Sequence, residues 1–256
     1  MTGRPLYDDA GEGPAVMLVH AGIADRRMWG PYLPWLAGEG WHPVAPDLPG
    51  FGEHAPTPDP PAPWDYLREV LDELAIDRAV IIGCSFGGAV ALRLAVTAPE
   101  RVRALVIISS PAPGLEPSPL LEAAWTAETE ALERGDLDAA TAAVVAAWLA
   151  PDAPMGLRDL VATMQRRAYE LDPEGTMPEP PDPLEAHPER LRAIEVPALV
   201  AVGERDMPDF LWSAQQLAEA LPQATHRVIA GAGHLAPLET PDTVRRLLAD
   251  FLAAVD

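Results

Sequence analysis

At 256 residues, the chain is long enough for one large α/β domain or for a core domain carrying an insertion. With 48% apolar and 22% charged residues its composition is that of a globular protein, and a formal net charge of −21 sets its field against nucleic acids and anionic membrane surfaces as partners. All 18 basic residues are arginine, which excludes Schiff-base chemistry on lysine and phosphate loops that need one.

The N-terminal MTGRPLYDDAGEG has no apolar core of the signal-peptide type. Ala15–His20 (AVMLVH) reads as a buried strand, and Trp41–Pro46 (WHPVAP) as a second, followed by the turn-rich DLPGFG. Trp64–Ile76 places Leu67, Val70, Leu71 and Leu74 at helical spacing. Ala79–Cys84 is expected as a strand, Phe86–Ala98 as a helix and Val102–Ser109 as a strand, a rhythm that favours a mostly parallel sheet covered on both faces.

The rhythm then breaks. From Pro117 to Leu171 there are three amphipathic stretches, 120–134, 137–149 and 157–171, followed by a Pro-rich connector at 172–188 that reads as an extended linker. Strand signals return at Val196–Gly203 and Thr225–Ile229, with helices expected at Leu211–Ala220 and Pro241–Val255. The expected organisation is an α/β core of residues 1–111 and 191–256 interrupted by a helical cap, or lid, at 112–190.

Chemistry concentrates at the joint in AVIIGCSFGGAVALRLA. A strand running directly into a helix through Gly-x-Ser-x-Gly forces Ser85 into a tight, strained turn, with glycines where side chains would collide. Its hydroxyl needs a base, and the strand order calls for an acid and then a histidine later in the chain. Asp206 in GERDMPD and His234 in GAGHLAPLE each follow a strand; Asp209, Glu204 and the distant Glu116 are the competing acids. Ser85 would attack, His234 would carry the proton, and Asp206 would fix the imidazole. The oxyanion donors expected are the backbone N–H groups of Phe86 and Gly22, with Ile23 as the alternative to Gly22; one such donor is worth about 10²–10³ in turnover.

LVHAGIADRRMW, DLPGFG, GCSFGG, GERD and GAGHLAPLE together resemble the α/β-hydrolase family, and within it the small bacterial enol-lactonases and carboxylesterases. The resemblance implies an α/β fold with an eight-stranded, mostly parallel sheet and a helical lid inserted between the sixth strand and the strand before the acid. Two positions depart from the pattern: His20-Ala21 replaces the usual His-Gly, and Glu53-His54 follows Gly52 where a small polar residue is common.

The expected activity is hydrolysis of a small, largely apolar ester, lactone or thioester. Carbon–carbon bond hydrolysis or perhydrolysis is the alternative on the same triad, and a non-catalytic ligand-binding protein the alternative of another class. Ile23, Trp29, Trp125, Trp148, Met164, Met207 and Leu235 are the candidates to line the substrate pocket. His20 is expected to brace its loop, and Arg26 and Arg27 to sit in salt bridges rather than on a substrate carboxylate. The single Cys84 can form no intramolecular disulfide, and no cluster has metal-ligand spacing, so neither cofactor nor metal is expected. A small-molecule substrate, no nucleic acid, no membrane, a monomer or homodimer, and a cytoplasmic location complete the expectations.

Overall fold

Apolar runs with no polar alternation must be covered on both faces, and in the computed structural model, which describes residues 6–173, 175 and 180–255, they are. Among these residues there are seven strands: β1 (Tyr7–Asp9), β2 (Ala15–Val19), β3 (His42–Pro46), β4 (Ala79–Cys84), β5 (Val102–Ile108), β6 (Ala198–Gly203) and β7 (Ala224–Ile229). They form one sheet in the order β1-β3-β2-β4-β5-β6-β7, with β1 antiparallel to β3 and every other pair parallel. The eight strands implied by the resemblance are thus seven among the described residues. The lid-like insertion accordingly follows the fifth strand seen here, not the sixth.

Side chains alternate strictly across the sheet. Val16, Leu18, Val80, Ile82, Val106, Ile108 and Leu199 pack on one face, under α1 (Leu33–Gly38), α8 (Ala236–Glu239) and α9 (Pro241–Val255). Met17, Val19, Ile81, Leu105, Ile107, Val200 and Val202 pack on the other, under α2 (Pro63–Glu73), α3 (Phe86–Thr97) and α7 (Pro208–Ala220).

Between β5 and β6 lie α4 (Pro119–Glu133), α5 (Leu137–Trp148) and α6 (Met155–Leu171). Ser118 and Asp136 accept from the Leu121 and Ala139 N–H groups and so start α4 and α5. Arginine bonds tie the inserted segment to the rest of the chain: Arg93 to Asp182, Arg205 to Asp152 at 2.8 Å, and Arg167 to the Gly52 carbonyl at 3.2 Å. Residues 174 and 176–179 of the expected linker lie outside the described residues. No helix among the described residues is long and apolar enough to cross a membrane.

Candidate active site

One residue separates β4 from α3. Ser85 takes φ 53° and ψ −119°, its N–H donates to the Ile108 carbonyl at 2.8 Å, and its own carbonyl accepts from Gly88 and Ala89 at 2.9 and 3.1 Å. Such φ is strained for any side chain and persists only because strand and helix both hold it. Gly87 is needed because a Cβ there would lie 2.3 Å from the Val19 carbonyl oxygen, at the end of the neighbouring strand β2.

The turn presents Ser85 Oγ 2.8 Å from His234 Nε2, and His234 Nδ1 lies 2.9 and 3.1 Å from the two oxygens of Asp206. With Asp206 accepting from Nδ1–H, Nε2 is left free to accept from the serine hydroxyl. Both partners are buried, and the imidazole ring is flanked by Phe210 at 4.3 Å and Trp148 at 4.6 Å between centroids.

The adjacency of β6 and β7 brings acid and histidine together. A Cβ on Gly203, at the end of β6, would lie 2.1 Å from the Gly233 carbonyl oxygen, so only glycine lets the histidine loop come so close. The loops are then stitched by Arg205 N–H to the Ala232 carbonyl and Gly231 N–H to the Glu204 carboxylate, both at 2.8 Å. That occupies Glu204. Asp209 is occupied too, accepting from the Ser118 N–H and hydroxyl at 2.7 Å each. Burial raises the Asp209 pKa, but these bonds outweigh it and the carboxyl ionises below its ordinary range.

Glu239 was not foreseen. From the first turn after His234 it accepts the N–H groups of Gly233 and Leu235, both at 3.0 Å, clamping the two residues that flank the histidine. Burial pushes its pKa up, against those bonds, a further one from the Ala150 N–H and the nearby His234.

Gly22, Ile23, Phe86 and Ser85 border one cavity of about 620 Å³. A Cβ on Gly22 would lie 3.3 Å from the Phe86 Cβ, so the two residues expected to supply the oxyanion donors are close neighbours. Phe86 opens α3 and its N–H has no intrahelical acceptor. Trp125 and Trp148 line the same cavity, as do Phe210, Gln165, Glu128 and Arg93, none of which sequence pattern singled out.

Three expected pocket residues lie elsewhere. Trp29, Met164 and Leu235 are fully buried in the core on the far face of the sheet and the cluster continuous with it, where apolar bulk is needed for packing. Met207 is half-buried against the core and borders a separate cavity that also touches Trp148 and His234.

His20 braces its loop. Its Nδ1–H donates to the Ala21 carbonyl at 2.9 Å, and Nε2 accepts from the Leu48 N–H at 3.0 Å. Arg26 pairs with Asp8, Asp47 and Glu53, and Arg27 with Asp25. The departure at Glu53 thereby acquires a reason, since it closes this ion-pair cluster. No group of three His, Cys, Asp or Glu among the described residues could hold a metal ion.

The buried His20 carries a testable pH dependence. Burial holds its pKa below the ordinary 6.5, although the Ala21 carbonyl and the charges of Asp47 and Asp25 pull upward. Below pH 6.5 the unfolded chain binds a proton there and the folded chain resists it. This group's contribution to stability is therefore complete above 6.5 and is lost as pH falls, by at most about 1.4 kcal/mol per pH unit. Urea unfolding of wild type and His20→Gln at neutral and mildly acidic pH should show the stability gap between them narrowing in acid; a constant gap would sink the assignment.

Residues 16–247 match the model of the Alpha/beta hydrolase family. The chain is 31% identical over 197 residues to a 2-hydroxymuconate semialdehyde hydrolase of Pseudomonas putida, covering 73% of this chain and 66% of that one, so the match spans about two thirds of that relative's length. It is 25% identical over 249 residues to the carboxylesterase YbfK of Bacillus subtilis, covering 94% and 81%. Among solved structures, a thermophilic esterase from Thermogutta terrifontis superposes with a TM-score of 0.80 at 25% identity, over 98% of this chain and 93% of that one.

Proposed function

Because this chain belongs to the α/β-hydrolase family, we propose that it hydrolyses a small carboxylic ester, lactone or thioester through an acyl-enzyme on Ser85. One observation carries the reading: the unbroken relay from Ser85 Oγ through His234 to Asp206, opening onto a cavity lined chiefly by apolar side chains.

Ser85 Oγ attacks the carbonyl carbon while His234 Nε2 takes the hydroxyl proton, and the resulting imidazolium is held by Asp206. The tetrahedral oxyanion receives the Phe86 and Gly22 N–H groups. As it collapses, the bond to the leaving oxygen or sulfur breaks and His234 returns its proton to that atom. Water then gives a proton to His234 and attacks the acyl carbon; Ser85 leaves, taking the proton back, and the acid is released. The inserted helices act as a cap that holds bulk water off the acyl-enzyme.

The identity with a 2-hydroxymuconate semialdehyde hydrolase favours a second reading, carbon–carbon bond hydrolysis on the same groups. A carboxylate-bearing substrate of that kind would meet Glu128, Asp182 and Glu185 in the cavity, and Arg93, the one arginine lining it among the described residues, is already paired with Asp182. The ester reading is therefore preferred.

Intact mass after brief exposure to a fluorophosphonate is the direct test. One adduct per chain, mapping to Ser85, together with turnover of p-nitrophenyl acetate faster than of a vinylogous diketone, is expected. Folded protein that takes no adduct and cleaves no activated ester would overturn the proposal in favour of a ligand-binding role.

A further inference from the structure

Two cavities meet at the catalytic histidine. The one bordered by Ser85 has a volume of about 620 Å³; the other, of about 530 Å³, borders Asp206, Met207 and Gly233 but not Ser85. Among the described residues their linings share Trp148 and His234, so these two side chains form the wall between them. The spacing along α4 shows how two cavities fit beside one helix. Leu121, Trp125 and Glu128, four and three residues apart, line the Ser85 cavity, and Leu120, Ala124 and Ala127, each one position earlier, line the second. Successive helical residues diverge by about 100°, so α4 stands between the cavities with one stripe of side chains on each.

Trp148 is the last residue of α5 and is buried. Its ring lies 4.6 Å from that of His234 and 5.7 Å from that of Phe210, centroid to centroid, so aromatic neighbours hold it in place. Of the two wall residues, His234 is committed to the relay with Ser85 and Asp206. The indole is therefore the part of the wall whose size is free to vary. An apolar chain extending from Ser85 toward α5 ends against it. Beyond it the alanines of α4 and α5 leave room that larger side chains would fill, and burying methylenes there would be favourable.

We propose that Trp148 is a specificity-determining residue: its indole closes the Ser85 cavity against the second one and limits the length of apolar chain a substrate can place beside His234. This deepens the ester-hydrolase reading and rests on it. The substrate class becomes esters, lactones or thioesters with short apolar chains, and a smaller residue at 148 would admit longer ones into the second cavity.

The test is binding, so that it does not depend on turnover. Dissociation constants are measured by NMR titration for 2-alkanones of rising chain length, neutral ketones that present a carbonyl without a cleavable bond. In wild type each added methylene should tighten binding by about fourfold until the chain reaches the indole, where affinity should level off. Trp148→Ala should move that plateau to longer chains, so that the longest ketones bind at least about tenfold more tightly than to wild type. Ala124→Phe, which fills part of the second cavity, should leave the wild-type plateau in place and cancel the gain when combined with Trp148→Ala. Trp148→Leu serves if the alanine variant does not fold. A plateau at one chain length in wild type and the Trp148 variants, no plateau in wild type, or a gain that Ala124→Phe leaves untouched overturns the assignment. Fluorophosphonate labelling of the same samples separates the two claims: labelling with an unmoved plateau removes the role of Trp148 alone, whereas a moved plateau without labelling removes the ester-hydrolase reading and leaves Trp148 as the limit on ligand length.

Discussion

Ser85→Ala will lower kcat for p-nitrophenyl acetate by about 10⁵-fold or more, leaving the fold intact. The loss is this large because, in the proposed mechanism, Oγ is the atom that forms the covalent bond, and no neighbouring group can replace it. Cys84 is buried with its thiol toward the His234 carbonyl, 3.8 Å away, and burial pushes its pKa well up, so it offers no thiolate. What survives is binding and the oxyanion donors, typically about 10³–10⁴ above the uncatalysed rate. Initial rates on protein of verified mass, with circular dichroism as the folding control, check this. A variant retaining even about a hundredth of wild-type kcat would mean that Ser85 is not the nucleophile.

Asp206→Asn will cost about 10⁴ in kcat with little change in KM. Asp206 Oδ1 holds the Met207 N–H at 2.8 Å, and asparagine can keep that bond, so the loop retains its shape. What changes is the face toward His234. The new NH₂ would sit where Oδ2 now lies, 3.1 Å from Nδ1, and would offer a donor that favours the tautomer with its proton on Nε2. A ring protonated there cannot accept from Ser85, and the lost charge no longer steadies the imidazolium. Steady-state kinetics and the fluorophosphonate labelling rate should fall in parallel. If labelling fell while ester turnover did not, Asp206 would not be what holds the imidazolium during turnover.

What the chain discloses from its letters depends on how locally each feature is encoded. β4, the elbow and α3 are contiguous, and their chemistry is fixed by a run of β-branched residues meeting glycines, so this joint is legible. Asp206 and His234 are legible because each lies in a Gly-punctuated loop just past a strand, and parallel neighbours end on the same edge of a sheet. β1 was missed because YDD carries no alternation; its register comes from backbone pairing with β3. α1 was missed because six residues are too few to show a helical period.

The cavity lining was least legible, and α6 shows why. Met164 and Gln165 are adjacent, but successive residues on a helix diverge by about 100°. Hydrophobicity suggests that Met164 should face the pocket and Gln165 the solvent. The helix instead uses Met164 to fill the core and turns Gln165 toward the cavity. Glu239 is hidden for another reason, since its role is to hold backbone N–H groups that any sequence would supply.

The positive φ at Ser85 has an evolutionary consequence. Glycine adopts that conformation freely, whereas serine there carries strain of about 1–3 kcal/mol, a sizeable share of a domain's total stability. A single substitution would release it. A lineage that no longer drew on the hydroxyl would drift toward glycine at this site under selection for folding alone. The Cβ that carries the hydroxyl is thus held at a cost in stability. Ala75 and Ser109 also take positive φ, at 52° and 49°, and what sets Ser85 apart is that its strained position carries the hydroxyl bonded to His234.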